Sequence, residues 1–268
     1  MFRPTPLLLL ALLLVVGCQV AGPPLDPAVE ANVGVQGAYS VELPLALSSD
    51  VSIPVELGYW LYLPEDYGKD REQAWPVILF LHGRGERGDD LELLKKHGLP
   101  KLLDQGEDYP FIIVSPQCPL STYWPDLVGV LPGLLEHLGD GYAVDTERIY
   151  VTGLSMGGMG TWALALLDPE LPAAIAPIAG RSPYAIVPGN MCDIKHVPTW
   201  VFHGAQDDLI PVEDGQAMVD ALRACGADVR FTLYPDADHP GSWERAYADP
   251  ELYEWLLEQS RREIKTSR

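Results

Sequence analysis

Positive charge is scarce in this chain. Its 268 residues include 18 Lys and Arg but 38 Asp and Glu, which gives a formal net charge of −20. A surface of this charge repels the phosphate groups of nucleic acids and of anionic lipids. The composition therefore argues against nucleic-acid binding and against a polybasic membrane-binding patch. An apolar fraction of 47% is nevertheless sufficient for the buried core of one large α/β domain.

Long hydrophobic runs are limited to residues 7–16, which are apolar without interruption. This run is too short to span a bilayer and has the length of the apolar region of a signal peptide. It leads into the sequence LVVGC, ending at Cys18, which resembles the lipobox of bacterial lipoproteins. The resemblance implies that residues 1–17 are removed as a signal peptide and that Cys18 is acylated. An ordinary signal peptide with a chance cysteine is the alternative.

An acylated Cys18 implies an exported protein that is lipid-anchored in the cell envelope. It would lie on the outer membrane or face the periplasm if the source has two membranes. Residues 18–33 contain several prolines and are predicted to be a tether, and residues 34–268 are predicted to be one domain.

Cysteine is also scarce, with four in the chain. If Cys18 carries lipid, three remain: Cys118, Cys192 and Cys225. An odd number allows at most one intrachain disulfide, and the sequence leaves the pair open. None of the cysteines or histidines has the spacing of a metal-ligand pair, so we expect no metal site.

Strand and helix signals alternate along the domain. Short apolar runs separated by helical segments indicate a mostly parallel sheet covered on both faces, preceded by two strands that we expect to be antiparallel. The predicted strands are residues 39–47, 55–63, 77–81, 111–115, 148–152, 173–178, 200–202 and 229–234. The predicted helices are residues 91–103 with an interruption at 98–100, and residues 127–138, 156–167, 213–224 and 243–262.

A candidate nucleophile, Ser155, lies in the pattern G-x-S-x-G between a predicted strand and a predicted helix. A serine at the tip of so sharp a turn takes strained backbone angles, and glycines at 153 and 157 let the strand and helix approach it. The hydroxyl is then held at a helix N-terminus, where the dipole favours developing negative charge.

A candidate acid and a candidate base follow two later strands. Asp207 comes after the strand at 200–202, and His239 comes after the strand at 229–234. In parallel sheets, active sites gather at the carboxyl ends of strands. Asp208 competes with Asp207 for the role of the acid. His82 and His203 each end a strand before a glycine and are interpreted as structural histidines.

Taken together, these segments resemble the α/β-hydrolase family, and within it the small bacterial esterases related to dienelactone hydrolases, polyhydroxybutyrate depolymerases and feruloyl esterases. The resemblance covers residues 59–255. Its motifs are FLHGRGERGD from Phe80, SPQ from Ser115, TGLSMGG from Thr152, HGAQD from His203, and DH at Asp238. It implies a single α/β-hydrolase domain, and the order Ser, Asp, His is the one that this fold uses.

The resemblance also implies a role for each residue. Ser155 would attack the acyl carbon, His239 would carry the proton, and Asp207 would orient the imidazole. The backbone N–H of Met156 would be one oxyanion donor, and that of Arg84 the second, with Gly85 as the alternative.

Three residues are candidates for the substrate pocket: Trp124, Trp243 and Arg181. The aromatic rings could hold an acyl or aromatic group, with core packing as the alternative, and Arg181 could contact an anionic group. The side chains of Arg84, Glu86 and Arg87 form either an ion-paired loop or a polar rim near the substrate.

The predicted function is that of a serine carboxylic-ester hydrolase that needs no cofactor, because the nucleophile, base and oxyanion donors are protein groups. Its expected partner is a small-molecule or oligomeric ester. The sequence does not distinguish among acetyl, feruloyl, polyester and simple alkyl esters as the substrate. The alternatives are a serine peptidase of the prolyl-oligopeptidase type and a non-catalytic envelope binding protein. The sequence does not indicate an oligomeric state.

Overall fold

The computed structural model describes residues 33–182 and 191–262. The predicted signal peptide, the lipidation site Cys18 and nearly all of the tether lie outside the described residues. Within the described ranges, no helix combines the length and apolar character needed to cross a membrane.

Eight strands form one sheet in the order β1-β2-β4-β3-β5-β6-β7-β8. β1 pairs with β2 and β2 with β4 in antiparallel fashion, and all other pairs are parallel. This confirms the predicted mostly parallel sheet with two leading antiparallel strands. The strands are β1 (Gln36–Ala46), β2 (Ser52–Tyr62), β3 (Trp75–Leu81), β4 (Ile112–Pro116), β5 (Val144–Leu154), β6 (Ala174–Ile178), β7 (Thr199–Gly204) and β8 (Val229–Tyr234).

Helices cover both faces of the sheet. In the described residues they are α1 (Gly98–Asp104), α2 (Trp124–Leu127), α3 (Leu131–Gly141), α4 (Met156–Leu167), α5 (Val212–Ala224), α6 (His239–Ala248) and α7 (Pro250–Leu257). Short 3₁₀ segments lie at Arg84–Glu86, Leu91–Lys96, Val128–Val130 and Cys192–Ile194.

Three helix predictions need correction. The segment 127–138 is a 3₁₀ turn, Val128–Val130, followed by α3, Leu131–Gly141. The interruption predicted at 98–100 is present at Gly98, whose φ of 61° is left-handed, but the part before it is a 3₁₀ turn and not an α-helix. The segment 243–262 is two helices and begins earlier, at His239. Pro250 cannot donate a backbone hydrogen bond to α6, and the Asp249 side chain caps a new helix by accepting from the N–H of Glu251.

Two hydrophobic clusters fill the space between the sheet and the helices. Alternate residues of β3 divide between them: Val77, Leu79 and Leu81 face one cluster, and Ile78 and Phe80 face the other. All five are fully buried. Because a strand that is buried on both faces appears in the sequence as a continuous apolar run, β3 is predictable from its sequence.

One disulfide joins Cys192 to Cys225, and Cys118 is a free, buried thiol. The bridge ties the 3₁₀ turn at Cys192–Ile194 to the residue that follows α5. The structure thus identifies the pair that the sequence leaves open.

Candidate active site

Ser155 occupies a strained turn between β5 and α4. Its φ is 54° and its ψ is −115°, a region that residues with a side chain rarely adopt. The turn is held by the backbone N–H of Ser155, which donates to the carbonyl of Ile178 at 2.9 Å. A Cβ atom on Gly153 would lie 2.6 Å from the backbone carbonyl group of Gly157. Glycine at 153 is therefore required for the turn to close.

The side chains of Ser155, His239 and Asp207 form a continuous hydrogen-bonded row. The Nε2 atom of His239 lies 2.8 Å from the Ser155 hydroxyl oxygen, and its Nδ1 atom lies 2.6 Å from Oδ2 of Asp207. An ionised carboxylate only accepts hydrogen bonds, so Nδ1 carries the ring proton and Nε2 is free to accept one from the serine. This is the geometry that activation of a hydroxyl nucleophile requires.

Asp207 is fixed from several sides. Its carboxylate is fully buried, and Oδ1 accepts from the N–H groups of Leu209 at 3.0 Å and Ile210 at 2.9 Å. A buried carboxylate is tolerated when each oxygen is hydrogen-bonded in this way. The competing residue, Asp208, is exposed and makes no recorded contact with His239. Asp207 is thus the acid that the structure brings to the base.

His203 lies behind the same carboxylate and is completely buried. Its Nε2 atom lies 2.9 Å from the carbonyl of Ile210, so this nitrogen donates, and it is also 3.3 Å from Oδ2 of Asp207. A Cβ atom on Gly215 would lie 2.6 Å from Nδ1 of this ring. His203 therefore supports the loop that carries Asp207, as a structural histidine does.

The candidate oxyanion loop follows β3. Arg84 and Met156 line one cavity together with Ser155, whereas Gly85 does not line it. The two predicted donors thus line the same cavity, one directly after the nucleophile and the other in the loop after β3. This arrangement resembles the usual one, in which one donor follows the nucleophile and the other comes from the loop after the third strand.

His82 fixes the start of the candidate oxyanion loop. Its Nδ1 atom donates to the carbonyl of Gly83 at 2.6 Å, and its Nε2 atom accepts from the N–H of Cys118 at 2.9 Å. The indole N–H of Trp124 donates to the His82 carbonyl at 3.0 Å. Burial lowers the pKa of His82 to about 4. A neutral imidazole thus ties the candidate oxyanion loop to the segment that contains Trp124.

The cavity at Ser155 has a volume of about 430 Å³. Besides Ser155 and Met156, its lining includes Arg84, Tyr123, Met159, Arg181 and Ile210. The Arg181 guanidinium is about half exposed and lies 3.5 Å from the Asp214 carboxylate. The lining thus combines apolar side chains with two arginines, Arg84 and Arg181, and one carboxylate, that of Asp126.

Two of the three predicted pocket residues do not line this cavity. Trp124 is fully buried in the core, where its ring contacts the His82 ring edge-on at 5.2 Å and packs against Gly160. Trp243 is 6% exposed and contacts the ring of His239 edge-on at 4.9 Å. Helix α2 begins at Trp124 with this ring directed into the core, which leaves Tyr123 at the cavity. Arg181 does line the cavity.

Sequence reasoning missed five residues of the cavity lining: Tyr123, Pro125, Asp126, Met159 and Ile210. Met159 follows the nucleophile by four residues, and residues spaced by four share one face of a helix. That spacing could have identified Met159. Tyr123 carried no comparable signal, because the position of the turn into α2 decides whether residue 123 or 124 faces the core.

The three charged residues of the candidate oxyanion loop do not pair with each other in the described structure. Arg87 donates to the carbonyls of Thr122 at 2.9 Å and Leu120 at 3.2 Å, and its guanidinium lies 4.3 Å from the centre of the Tyr123 ring. Glu86 is buried and faces His97 instead. The loop is thus held by Arg87, which also donates to the Arg84 carbonyl at 3.2 Å, and by the contact of Glu86 with His97. Of the three residues, Arg84 is the one that lines the cavity, where a polar rim would lie.

No group of three or more His, Cys, Asp or Glu side chains within residues 33–182 and 191–262 could hold a metal ion.

Comparison with known proteins identifies the fold and its relatives. Residues 130–247 match the Dienelactone hydrolase family. A putative carboxymethylenebutenolidase of Salmonella typhimurium is 33% identical over 129 residues, which are 42% of this chain and 47% of that protein. The chain thus spans about half the length of this curated relative.

Solved structures extend the likeness over most of the chain. A thermostable esterase superposes with a TM-score of 0.67 at 32% identity, covering 82% of this chain and 63% of that one. An acylaminoacyl peptidase of Pyrococcus horikoshii superposes with a TM-score of 0.61 at 18% identity, covering 88% and 44%, which shows a shared fold alone. The chain has the α/β-hydrolase fold, and its predicted resemblance to esterases of the dienelactone hydrolase group is confirmed.

Proposed function

We propose that the protein is a serine carboxylic-ester hydrolase that works through an acyl-enzyme. One observation carries the proposal: the Ser155 hydroxyl lies 2.8 Å from Nε2 of His239, whose Nδ1 lies 2.6 Å from the buried Asp207 carboxylate. This row supplies a nucleophile, a base and a group that orients the base. The esterase relatives support the same reaction class.

The reaction divides into acylation and deacylation. In acylation, Ser155 Oγ attacks the ester carbon while His239 Nε2 takes its proton, and the imidazolium then protonates the departing alcohol. In deacylation, water attacks the acyl-serine, His239 takes a proton from the water, and the proton returns to Ser155 as the carboxylic acid leaves. Both steps form a tetrahedral oxyanion, for which the N–H groups of Met156 and Arg84 are the proposed donors.

The residues that line the cavity reduce the range of esters that we propose as substrates. A volume of about 430 Å³ is at the small end of the range for ligand pockets. Tyr123, Met159 and Ile210 suit an apolar portion. The two arginines, Arg84 and Arg181, outnumber the one carboxylate of the lining, Asp126, and this excess of positive charge suits an anionic portion. We infer a small ester that carries a carboxylate, as the name of the Salmonella relative also suggests.

A paired substrate measurement tests this inference. Nitrophenyl hemisuccinate carries an anionic acyl group, and nitrophenyl butyrate has a neutral one of similar length. We expect the ratio of their kcat/KM values to favour the hemisuccinate and to fall by roughly 10-fold in Arg181→Gln, which loses a charge-assisted contact. An unchanged ratio would leave the esterase proposal intact and remove the carboxylate preference.

The nucleophile is tested by a fluorophosphonate probe, with the labelled residue located by mass spectrometry. We expect labelling at Ser155, loss of labelling and ester turnover in Ser155→Ala, and retention of both in Ser121→Ala, an exposed serine that serves as the control. A folded wild-type protein without label would favour a non-catalytic binding protein. Cleavage of acylated peptides faster than esters would favour a peptidase.

We further propose that the protein is exported and anchored through Cys18. The disulfide Cys192–Cys225 supports an oxidising compartment, since disulfides persist there and are rare in the cytosol. Fractionation of cells expressing Cys18→Ala should move the protein from the membrane to the soluble fraction, while Cys118→Ala, which alters a buried thiol, should stay in the membrane. A membrane-bound Cys18→Ala variant would contradict the anchor.

A further inference from the structure

Trp243 contacts the imidazole ring of the candidate base, His239. It lies four residues after His239 on α6, and residues at this spacing share one helix face. The two ring centres are 4.9 Å apart, and the ring planes meet at 85°. Both hydrogen-bonding nitrogens of His239 are already used by Ser155 and Asp207. The indole therefore restricts the remaining freedom of the ring, which is rotation and displacement.

The ring of Trp243 also contacts the ring of His97. The two ring centres are 5.7 Å apart with an interplanar angle of 70°. Beyond it, His97 Nε2 lies 4.0 Å from Oε1 of Glu86. Glu86 ends the 3₁₀ turn that begins at Arg84, the second proposed oxyanion donor. A row of four side chains, Glu86, His97, Trp243 and His239, thus joins the candidate oxyanion loop to the candidate base.

The position of Glu86 is unfavourable for stability alone. The side chain is 7% exposed, and its Oε2 atom is buried without a hydrogen-bond partner in the described structure. Desolvation raises the pKa of this carboxyl group, and the charge of His97 acts in the opposite direction. Backbone hydrogen bonds at Gly83 and Glu86 and the charge of Lys96 also favour the ionised form. A buried carboxylate with one oxygen left unpartnered is nevertheless costly. Its presence next to the oxyanion loop is explained if it holds His97 against Trp243.

We propose that Trp243 is a positioning residue for the imidazole of His239. The indole of Trp243 is in turn held by its contact with His97, which faces Glu86. This rests on the proposed function, in which His239 is the base. A nucleophile and base must be aligned closely for proton transfer, and small misplacements reduce the rate by large factors. Loss of the indole should consequently slow the chemical step without weakening substrate binding.

The test compares three variants of buried tryptophans. Trp243→Leu removes the ring, Trp243→Phe keeps an aromatic edge, and Trp255→Leu is the matched control. Trp255 belongs to the same hydrophobic cluster, is 5% exposed, and contacts the ring of Trp200 at 5.4 Å rather than His239. The measurements are kcat and KM for a nitrophenyl ester and the rate of labelling by a fluorophosphonate, below the unfolding temperature of each variant.

We expect Trp243→Leu to lower kcat and the labelling rate by roughly 10- to 100-fold, with KM changed by less than about two-fold. Trp243→Phe should recover most of the loss, and Trp255→Leu should keep wild-type rates despite lower stability. His97→Leu should reduce kcat in the same direction by a smaller factor. Equal losses in Trp243→Leu and Trp255→Leu, or a change in KM alone, would overturn the proposal.

A spectroscopic measurement separates this proposal from the proposed function. The Nδ1 proton of His239, shared with Asp207 at 2.6 Å, should give a strongly downfield proton resonance in the folded wild-type protein. We expect this resonance to shift or broaden in Trp243→Leu and to be unchanged in Trp255→Leu. An unlabelled, inactive wild-type protein would refute the esterase function, whereas an unaltered resonance in Trp243→Leu would refute the positioning role.

Discussion

Gly157 lies so close to Leu81 that a Cβ atom added to Gly157 would be 1.8 Å from the carbonyl oxygen of Leu81. Leu81 ends β3, and Gly157 is the second residue of α4. The approach brings the start of α4, with Ser155 just before it, against the strand that leads into the candidate oxyanion loop. The two halves of the candidate site are thus joined by backbone contact that only glycine permits.

Gly157→Ala should therefore be strongly destabilising. A methyl group cannot fit at 1.8 Å from a backbone oxygen, so strand and helix must separate. We expect a loss of more than about 3 kcal/mol in urea unfolding, or no folded protein. The control is Gly139→Ala in α3, where nothing lies within 4 Å of the added Cβ. That variant should gain about 0.5–1 kcal/mol from helix propensity, and equal effects of the two variants would contradict the packing argument.

Asp207→Asn should reduce kcat by several orders of magnitude while leaving KM nearly unchanged. An amide at this position can donate to Nδ1 of His239, which would favour the wrong tautomer and remove the acceptor for the Ser155 proton. Asp208→Asn is the matched control, since its side chain is exposed and makes no recorded contact with the base. Steady-state kinetics on one nitrophenyl ester distinguishes the two, and a reversed pattern would identify Asp208 as the acid.

The sheet and the candidate catalytic row are largely predictable from the sequence. Strands such as β3 are buried on both faces and therefore appear as unbroken apolar runs. The turn at Ser155 needs glycines on both sides, and Asp207 and His239 follow strands whose carboxyl ends meet at one edge. These signals are local, because each depends on a few adjacent residues.

The pocket is not predictable in the same way. Tyr123 and Trp124 are adjacent aromatic residues, and only the start of α2 determines that Tyr123 lines the cavity while Trp124 enters the core. The start of α6 at His239, rather than at Trp243, likewise depends on capping by Asp238, whose side chain accepts from the N–H of Gly241. Tertiary packing decides the first outcome. The second follows from a local cap that the sequence does contain, Asp238 followed by a proline in the first turn, and that the predicted start at Trp243 does not use.

His82 should make stability depend on pH between about 6.5 and 4. Its pKa of about 4 in the folded protein lies below the usual histidine value of 6.5, because burial disfavours the charged ring. Its contribution to stability is therefore fully present above pH 6.5 and is lost as the pH falls through 4. Protonation would also break the hydrogen bond that Nε2 accepts from the N–H of Cys118. The total effect is about 3 kcal/mol.

Urea unfolding from pH 8 to pH 4 measures this contribution. We expect His82→Gln to flatten the slope of unfolding free energy against pH, even if its stability at pH 8 is lower. His137→Gln, on an exposed helix position, should keep the wild-type slope. A wild-type slope in His82→Gln would show that another group carries the pH dependence.

The disulfide should contribute to stability but little to catalysis. Cys192 and Cys225 are 33 residues apart in the chain, and closing a loop of this length lowers the entropy of the unfolded state. Removing both in Cys192→Ser/Cys225→Ser should therefore cost about 3–4 kcal/mol in urea unfolding.

Cys225 lies just before β8, at the edge where the parallel strands begin, whereas Ser155 follows the carboxyl end of β5. The folded double variant should keep the wild-type kcat. Cys118→Ala is the control: because it keeps the disulfide, a reducing agent should lower its stability as much as it lowers that of the wild type. A large fall in kcat at full folding would instead mean that the bridge shapes the candidate site.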